Sequence, residues 1–261
     1  MPRLLDDIQA FGPEAIAVTG DLTHFALPAE FRAGRAFLER LGPPGKVLAI
    51  PGNHDALVPV PWAEGLGHWA GWMQGDPGGA DGFPFLRRIG EVACIGLSTA
   101  VPTPPGLASG RLGPGQLERL AVLLAEAGRQ GLCRVVLIHH PPVGENRRRG
   151  LDDRHALLRV LAEQGAEMLL HGHSHRPALL PAAGPDGQVL PCIGVPQALA
   201  GAGHRHLARW HLYRIGREGG GWALRTLVRG YDPAAGAFRT LGEWRLRLGG
   251  AIGESLASTA A

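Results

Sequence analysis

Four short segments place metal-ligating side chains directly behind apolar runs: Gly20-Asp21, Gly52-Asn53-His54-Asp55, His139-His140-Pro141-Pro142 and Gly172-His173-Ser174-His175. Carboxylate, amide oxygen and imidazole without a thiolate make a mixed oxygen/nitrogen donor set. Such a set suits Mn, Fe or Zn better than it suits an all-oxygen Ca/Mg cage. In Gly-His-Ser-His the two imidazoles at i and i+2 can splay toward two different ions on looped backbone, whereas on a helix that spacing shares no face. Gly20, Gly52 and Gly172 lack a Cβ, so the chain can turn sharply and approach an ion closely. Each segment alone is a weak signal. All four in this order, each at the end of an apolar run, point to a metal centre.

The elements that must position these residues are legible around them. Ala15-Ile16-Ala17-Val18, Val47-Leu48-Ala49-Ile50, Val135-Val136-Leu137-Ile138 and Met168-Leu169-Leu170 each precede one motif. Short apolar runs bounded by Gly or Pro read as buried strands. Loops at the carboxyl ends of neighbouring strands lie side by side in an α/β sheet, so ligands dispersed in sequence converge. Helices are predicted over Pro28 to Leu41, Gly115 to Ala127 and Arg154 to Glu163, with a strand over Glu91 to Leu97. After the last motif the pattern turns to strands over Val189-Val195, Leu207-Ile215, Trp222-Arg229 and Gly242-Leu248. Alternation followed by hairpins predicts an α/β fold of two sheets flanked by helices.

A chain of 261 residues with 45% hydrophobic content supports one large core. Residues 1–250 are expected to form a single domain, with 251–261 a tail. No apolar run approaches a membrane span and no signal peptide opens the chain. Three cysteines, Cys94, Cys133 and Cys192, sit in or near apolar strands. They read as inert core thiols in a reducing, cytoplasmic compartment. A net charge of +3 is too small to argue for a nucleic acid polymer as partner. Trp62, Trp69 and Trp72 lie at i, i+7 and i+10, and a core stripe is preferred over an aromatic wall or a dimer contact. Arg147, Arg148 and Arg149 read as a solvated loop rather than a phosphate contact. His24, His204 and His206 read as rim residues outside the site.

The motif set resembles the calcineurin-like metallophosphoesterase superfamily, whose pattern runs Asp-x-His, Gly-Asp, Gly-Asn-His-Asp/Glu, His, Gly-His-x-His. The similarity extends over about residues 1 to 200. The compact form, with Gly-Asp-Leu-Thr, Pro-Gly-Asn-His-Asp and His-His-Pro-Pro, is similar to the class III cyclic nucleotide phosphodiesterases and their glycerophosphodiesterase relatives. The resemblance implies a four-layer α-β-β-α sandwich and a two-metal centre of Mn, Fe or Zn. It also implies a small phosphoester substrate, 3′,5′-cyclic AMP or a glycerophosphodiester, attacked by a metal-activated hydroxide. Carried over by position, Asp21 bridges both metals, Asn53, His139 and His173 bind the second, and His175 binds the first. His139 is preferred to His140 because the family ligand lies two residues before the proline. His54 matches the histidine that contacts the phosphate and assists the leaving group. Asp55 would orient His54 through a hydrogen bond.

One motif of the pattern is missing. Nineteen residues precede Gly20, and none is histidine. Asp6 and Asp7 fall in a predicted helix, as solvated residues. The fold is therefore expected to lack its first strand, and the first metal to keep only Asp21 and His175. Fewer than two tightly bound ions are expected. An upstream start is the preferred explanation, with a single-metal variant as its competitor. The functional alternatives are a broad-specificity phosphomonoesterase or a degenerate, weakly active binding module. A homodimer is compatible with the sequence.

Overall fold

The computed structural model describes residues 2–79, 81–199 and 207–249. His204, His206 and the tail expected over 251–261 lie outside the described residues. The first half of the chain runs α1 (Pro2–Phe11), β1 (Ile16–Val18), α2 (Pro28–Leu41) and β2 (Val47–Ala49). Three short 3-10 segments follow, at His54–Ala56, Trp62–Glu64 and Leu66–Met73. Then come β3 (Phe85–Ile89), β4 (Val92–Gly96), α3 (Pro114–Arg129), β5 (Cys133–Ile138), α4 (Arg154–Gln164) and β6 (Met168–His171). The chain continues as β7 (Ala178–Ala183), β8 (Val189–Gly194), β9 (Arg209–Glu218), β10 (Gly221–Asp232) and β11 (Ala237–Leu248).

Alternate residues of the central strands enter two different cores, and this alternation builds the layers. Cys94, Val135, Leu137, Met168, Leu170 and Ile193 pack with β2, with β9 to β11 and with the apolar faces of α1 and α2. Ile95, Val136, Ile138, Leu169 and Cys192 pack instead with Leu117, Leu120 and Leu124 of α3 and Leu157 and Leu161 of α4. Strands buried on both faces show no polar alternation, which is why the sequence presents them as continuous apolar runs. They belong to a six-stranded sheet of order β3-β4-β5-β6-β8-β7. Its inner pairs are parallel, and its edge strands β3 and β7 are antiparallel. The opposing layer holds parallel β1-β2 and the antiparallel meander β11-β10-β9 as separate sheets. The result is the expected α-β-β-α order. β1 pairs in its sheet with β2, and β9 with β10.

The structure departs from the sequence reading at four places. The edge strands β3 and β7 were not expected. Pro181 lies inside β7, which an edge strand tolerates because one side of it needs no ladder donor. Trp69 and Trp72 are core, donating through their indole N–H groups to the carbonyls of Phe31 and Gly42. Trp62 is 57% exposed, because the segment breaks into separate 3-10 turns and the helical period does not persist. Asp7 is not solvated: it pairs with Arg229 and accepts a 2.8 Å bond from the Trp210 indole, which ties α1 to the meander. Asp6 is exposed, as expected. Cys94, Cys133 and Cys192 are buried and unpaired, with burial pushing the thiols of Cys94 and Cys192 up to about 12. Among the described residues no helix is long and apolar enough to cross a membrane.

Candidate metal centre

The loops after β1, β2, β5 and β6 meet at one end of the two sheets, and their backbones are strained there. Asp21, His173 and His175 have φ of 58°, 64° and 51°, three of the five non-glycine residues with positive φ among those described. Left-handed backbone costs a non-glycine residue about 1–3 kcal/mol and persists only where the surroundings hold it. The glycines of the motifs serve the loops' mutual approach. A Cβ on Gly52 would stand 2.1 Å from Asp21 Oδ1, and one on Gly20, at φ 99°, 2.5 Å from His139 Nδ1. The space expected to receive an ion is thus filled at these two points by the neighbouring side chain.

His139 is the pivot. Its Nδ1 donates to the Thr19 carbonyl at 2.7 Å; a carbonyl only accepts, so the proton sits on Nδ1. Its Nε2 then faces two oxygens, Asn53 Oδ1 at 3.1 Å and Asp21 Oδ2 at 3.3 Å. Lone pairs so opposed repel unless a cation lies among them, either a second proton on His139 or a metal ion. His173 Nδ1 lies 2.9 Å from the same Asn53 oxygen, and its Nε2 is buried without a hydrogen-bond partner. Asp21 and Asn53 thus face His139 Nε2, and Asn53 also faces His173 Nδ1, a mixed oxygen and imidazole donor set of the kind that suits a divalent transition metal.

The electrostatics agree. Burial works against a charge on Asp21, but the charge and hydrogen bond of His139 and the backbone N–H of His54 outweigh it and hold the carboxyl far below its usual range. Burial likewise opposes a proton on His139, and the Asp21 carboxylate outweighs it and raises the imidazole. His173 is pushed down to about 3 by burial, then by the charges of His139 and Arg149. His175 sits exposed at the rim, lowered by partial burial and by Arg149, against the attraction of Asp21. Arg147, Arg148 and Arg149 are exposed, as expected, yet the charge of Arg149 is felt by both histidines of the last motif.

Ligand nitrogens of His139, His140 and His173 lie within 4.8 Å of one another, so this triad could hold a metal. His140 is nonetheless committed elsewhere, with Nδ1 2.7 Å from Thr99 Oγ1 and Nε2 3.2 Å from the Ala108 carbonyl. Burial, then the charges of His139 and His173, push it down to about 2 and keep it neutral. It braces the loop above the site from below.

These shifts give a pH dependence. His140, His171, His173, His175 and His211 are all lowered from 6.5 in the fold. As pH falls below about 6.5 the unfolded chain binds protons that the fold refuses, so stability declines. His139, raised, takes up its extra proton above 6.5 and adds only a constant stabilisation below that value, while Asp55, pushed up to about 6, contributes in the opposite sense below about 6. Five lowered imidazoles against one raised carboxyl leave a net loss below 6.5. Thermal melts in chelator are expected to show Tm falling from pH 6.5 to 5.5. The slope should be shallower in His140→Gln whatever its absolute Tm, and an unchanged slope would contradict the buried neutral imidazole.

Asp55 does not orient His54. Its Oδ2 accepts from the backbone N–H groups of Gly52 at 2.8 Å and Asp21 at 2.9 Å, and its Oδ1 from the N–H of Thr23 at 2.8 Å. Burial first, then the charge of Asp21, raise its carboxyl against these bonds. It pins two ligand loops together. His54 is oriented by its neighbour instead: Nδ1 donates to the His24 carbonyl at 2.7 Å, and the two rings stack with centroids 5.2 Å apart. Sequence reasoning placed His24 at the rim, which holds, but missed this contact. It also missed Glu145, which accepts from Ser174 Oγ at 2.8 Å and steadies the Gly-His-Ser-His loop.

The fold and the converging loops bring a mixed oxygen and nitrogen donor set together, and comparison with known proteins makes the class specific. The profile of the calcineurin-like phosphoesterases matches residues 1–177, well over half of the chain, and the chain belongs to that family. The family uses divalent metals. A Synechococcus protein described as a "Probable cyclic nucleotide phosphodiesterase" is 31% identical over 169 residues. The match covers 63% of this chain and 58% of that relative, so the chain spans rather more than half its length. Among solved structures, GAP50, described as the anchor in the inner membrane complex of Plasmodium, is 9% identical with a TM-score of 0.39 over 91% of this chain and 88% of its own. The Thermus thermophilus sulfate thiohydrolase SoxB in complex with glycerol is 15% identical with a TM-score of 0.31 over 94% and 45%. Neither structural likeness is close enough to carry an argument.

Proposed function

We propose that this chain hydrolyses small phosphodiesters, a 3′,5′-cyclic nucleotide or a glycerophosphodiester. The observation that carries the reading is His139 Nε2 held between Asn53 Oδ1 and Asp21 Oδ2 beside His173. Asp21, Asn53, His139 and His173 would hold one divalent ion (Mn, Fe or Zn), leaving Asp21 and His175 for a second. When bound, such ions supply an activated water and positive charge against the phosphoryl oxygens.

The chain's own groups do the rest. The Thr19 carbonyl fixes His139 with its proton on Nδ1 and its Nε2 inward. The His24 carbonyl fixes His54 in the same sense, so Nε2 is the nitrogen left to hold a proton against the leaving oxygen. Transfer of that proton as the P–O bond breaks releases an alcohol rather than an alkoxide. Arg147, Arg148 and Arg149 add positive potential at the mouth, which draws phosphate anions to it. Three buried, unpaired thiols support a reducing, cytoplasmic setting.

The test is a metal count joined to a substrate panel. After Mn loading and gel filtration, elemental analysis is expected to give one tightly held ion per chain. Two retained ions would overturn the assignment of a two-ligand second site. Bis-p-nitrophenyl phosphate and cyclic AMP are expected to turn over faster than p-nitrophenyl phosphate. The reverse order would make the chain a phosphomonoesterase, and no turnover of any of them a binding module.

A further inference from the structure

Among the described residues, four of the ten large hydrophobic side chains left exposed, Phe25, Leu27, Val58 and Trp62, lie on the two segments that flank His24 and His54. Phe25 is 56% exposed, yet its loop is not loose. The Glu30 carboxylate, from the first turn of α2, accepts from the backbone N–H groups of His24 at 3.1 Å, Phe25 at 3.0 Å and Leu27 at 2.9 Å. Ala26, at φ 55°, is turned into the core with 3% exposure. The Phe25 ring meets His24 edge to face at 4.2 Å, and His24 lies nearly parallel to His54, 13° between their planes. A solvated aromatic on a loop fixed by three hydrogen bonds is preorganised, so little ordering entropy opposes a ligand that covers it.

We propose that Phe25, held by His24 edge to face, offers a stacking face for a planar aromatic ring on the leaving group of the substrate, a nucleobase in the first instance. The inference rests on the phosphoesterase reading above, which puts His54 at the leaving oxygen. Whatever lies against its neighbours is then the leaving-group side of the substrate. Flat side chains recognise flat rings without demanding a particular hydrogen-bond pattern, and stacking of one base on an aromatic residue changes affinity by about tenfold or more. Leu27, on the same pinned loop, is also exposed, which suits a ring better than it suits glycerol.

The comparison that isolates the ring is cyclic AMP against abasic ribose 3′,5′-cyclic phosphate, which share a leaving oxygen. Phe25→Ala is expected to raise KM for cyclic AMP about tenfold with kcat little changed, and to leave the abasic compound unaffected. Phe25→Tyr should restore the wild-type KM, and Val122→Ala, an exposed position on α3, should change neither substrate. Equal effects on both compounds, or none on either, would overturn the proposal. If wild type turns over no phosphoester, the hydrolase reading fails and a second measurement decides the stacking face. Saturation-transfer NMR on metal-free protein should then show adenosine but not ribose, with the signal lost in Phe25→Ala and His24→Ala. An adenosine signal unchanged in both variants would sink the idea.

Discussion

Asp21→Asn is expected to cut hydrolysis of bis-p-nitrophenyl phosphate at least about 10³-fold, equivalent to about 4 kcal/mol of transition-state stabilisation, and to reduce retained metal to background. Among the described residues Asp21 is the carboxylate in ion-pair reach of His139 Nε2, and its negative charge is the largest of the causes that raise that imidazole. The amide keeps an oxygen for the backbone N–H of His54, now 3.0 Å from Oδ1, so the left-handed turn remains supported. What disappears is the charge. Without it a dication meets two neutral imidazoles and neutral amides. The metal-free variant should melt close to wild type, which separates loss of the ion from loss of the fold. Retained metal and near-normal turnover would show that the ion does not sit where Asn53, His139 and His173 converge.

Much of this arrangement is legible in the chain because it follows from local pattern. Strands buried on both faces leave unbroken apolar runs, so pattern alone places the four motifs at strand ends. Pro28 at the first helical position and the spacing of Phe31, Phe37, Leu38 and Leu41 delimit α2 to the residue. Of the adjacent pair, His139 faces Asp21 and Asn53, while His140 bonds Thr99 and the Ala108 carbonyl. What stayed hidden depends on contacts between loops distant in sequence. Asp55 lies beside His54 in the chain, and the family resemblance implied a hydrogen bond between them. A 3-10 turn at His54–Ala56 sends the two side chains apart, one to solvent and one beneath the loop after β1. The exposure of Trp62 was hidden for a related reason, since helical spacing predicts a common face only where the helix persists. Nothing in residues 24–27 announces that Glu30 will fasten them.

The sharpest consequence concerns Asp55 and His54, adjacent residues whose replacement should fail in different ways. Asp55→Ala leaves the buried N–H groups of Gly52, Asp21 and Thr23 without their acceptor. Each such orphan costs about 1–3 kcal/mol, so the fold should lose about 3–9 kcal/mol in all. At about 2–4 °C per kcal/mol for a chain of this size, Tm is expected to fall by at least about 6 °C. Metal affinity should fall with it, because the turn that presents Asp21 at φ 58° has lost its support. Asp55→Asn should be intermediate: one oxygen remains, while its NH₂ faces a backbone donor. His54→Ala removes a half-buried ring whose one hydrogen bond runs to the His24 carbonyl. Its Tm and metal content should stay near wild type, while kcat falls about 10²–10⁴-fold through loss of proton transfer. Had Asp55 acted by orienting His54, the two alanine variants would share that second signature. An Asp55→Ala protein with normal Tm, normal metal content and low kcat would restore the role that the family resemblance implied.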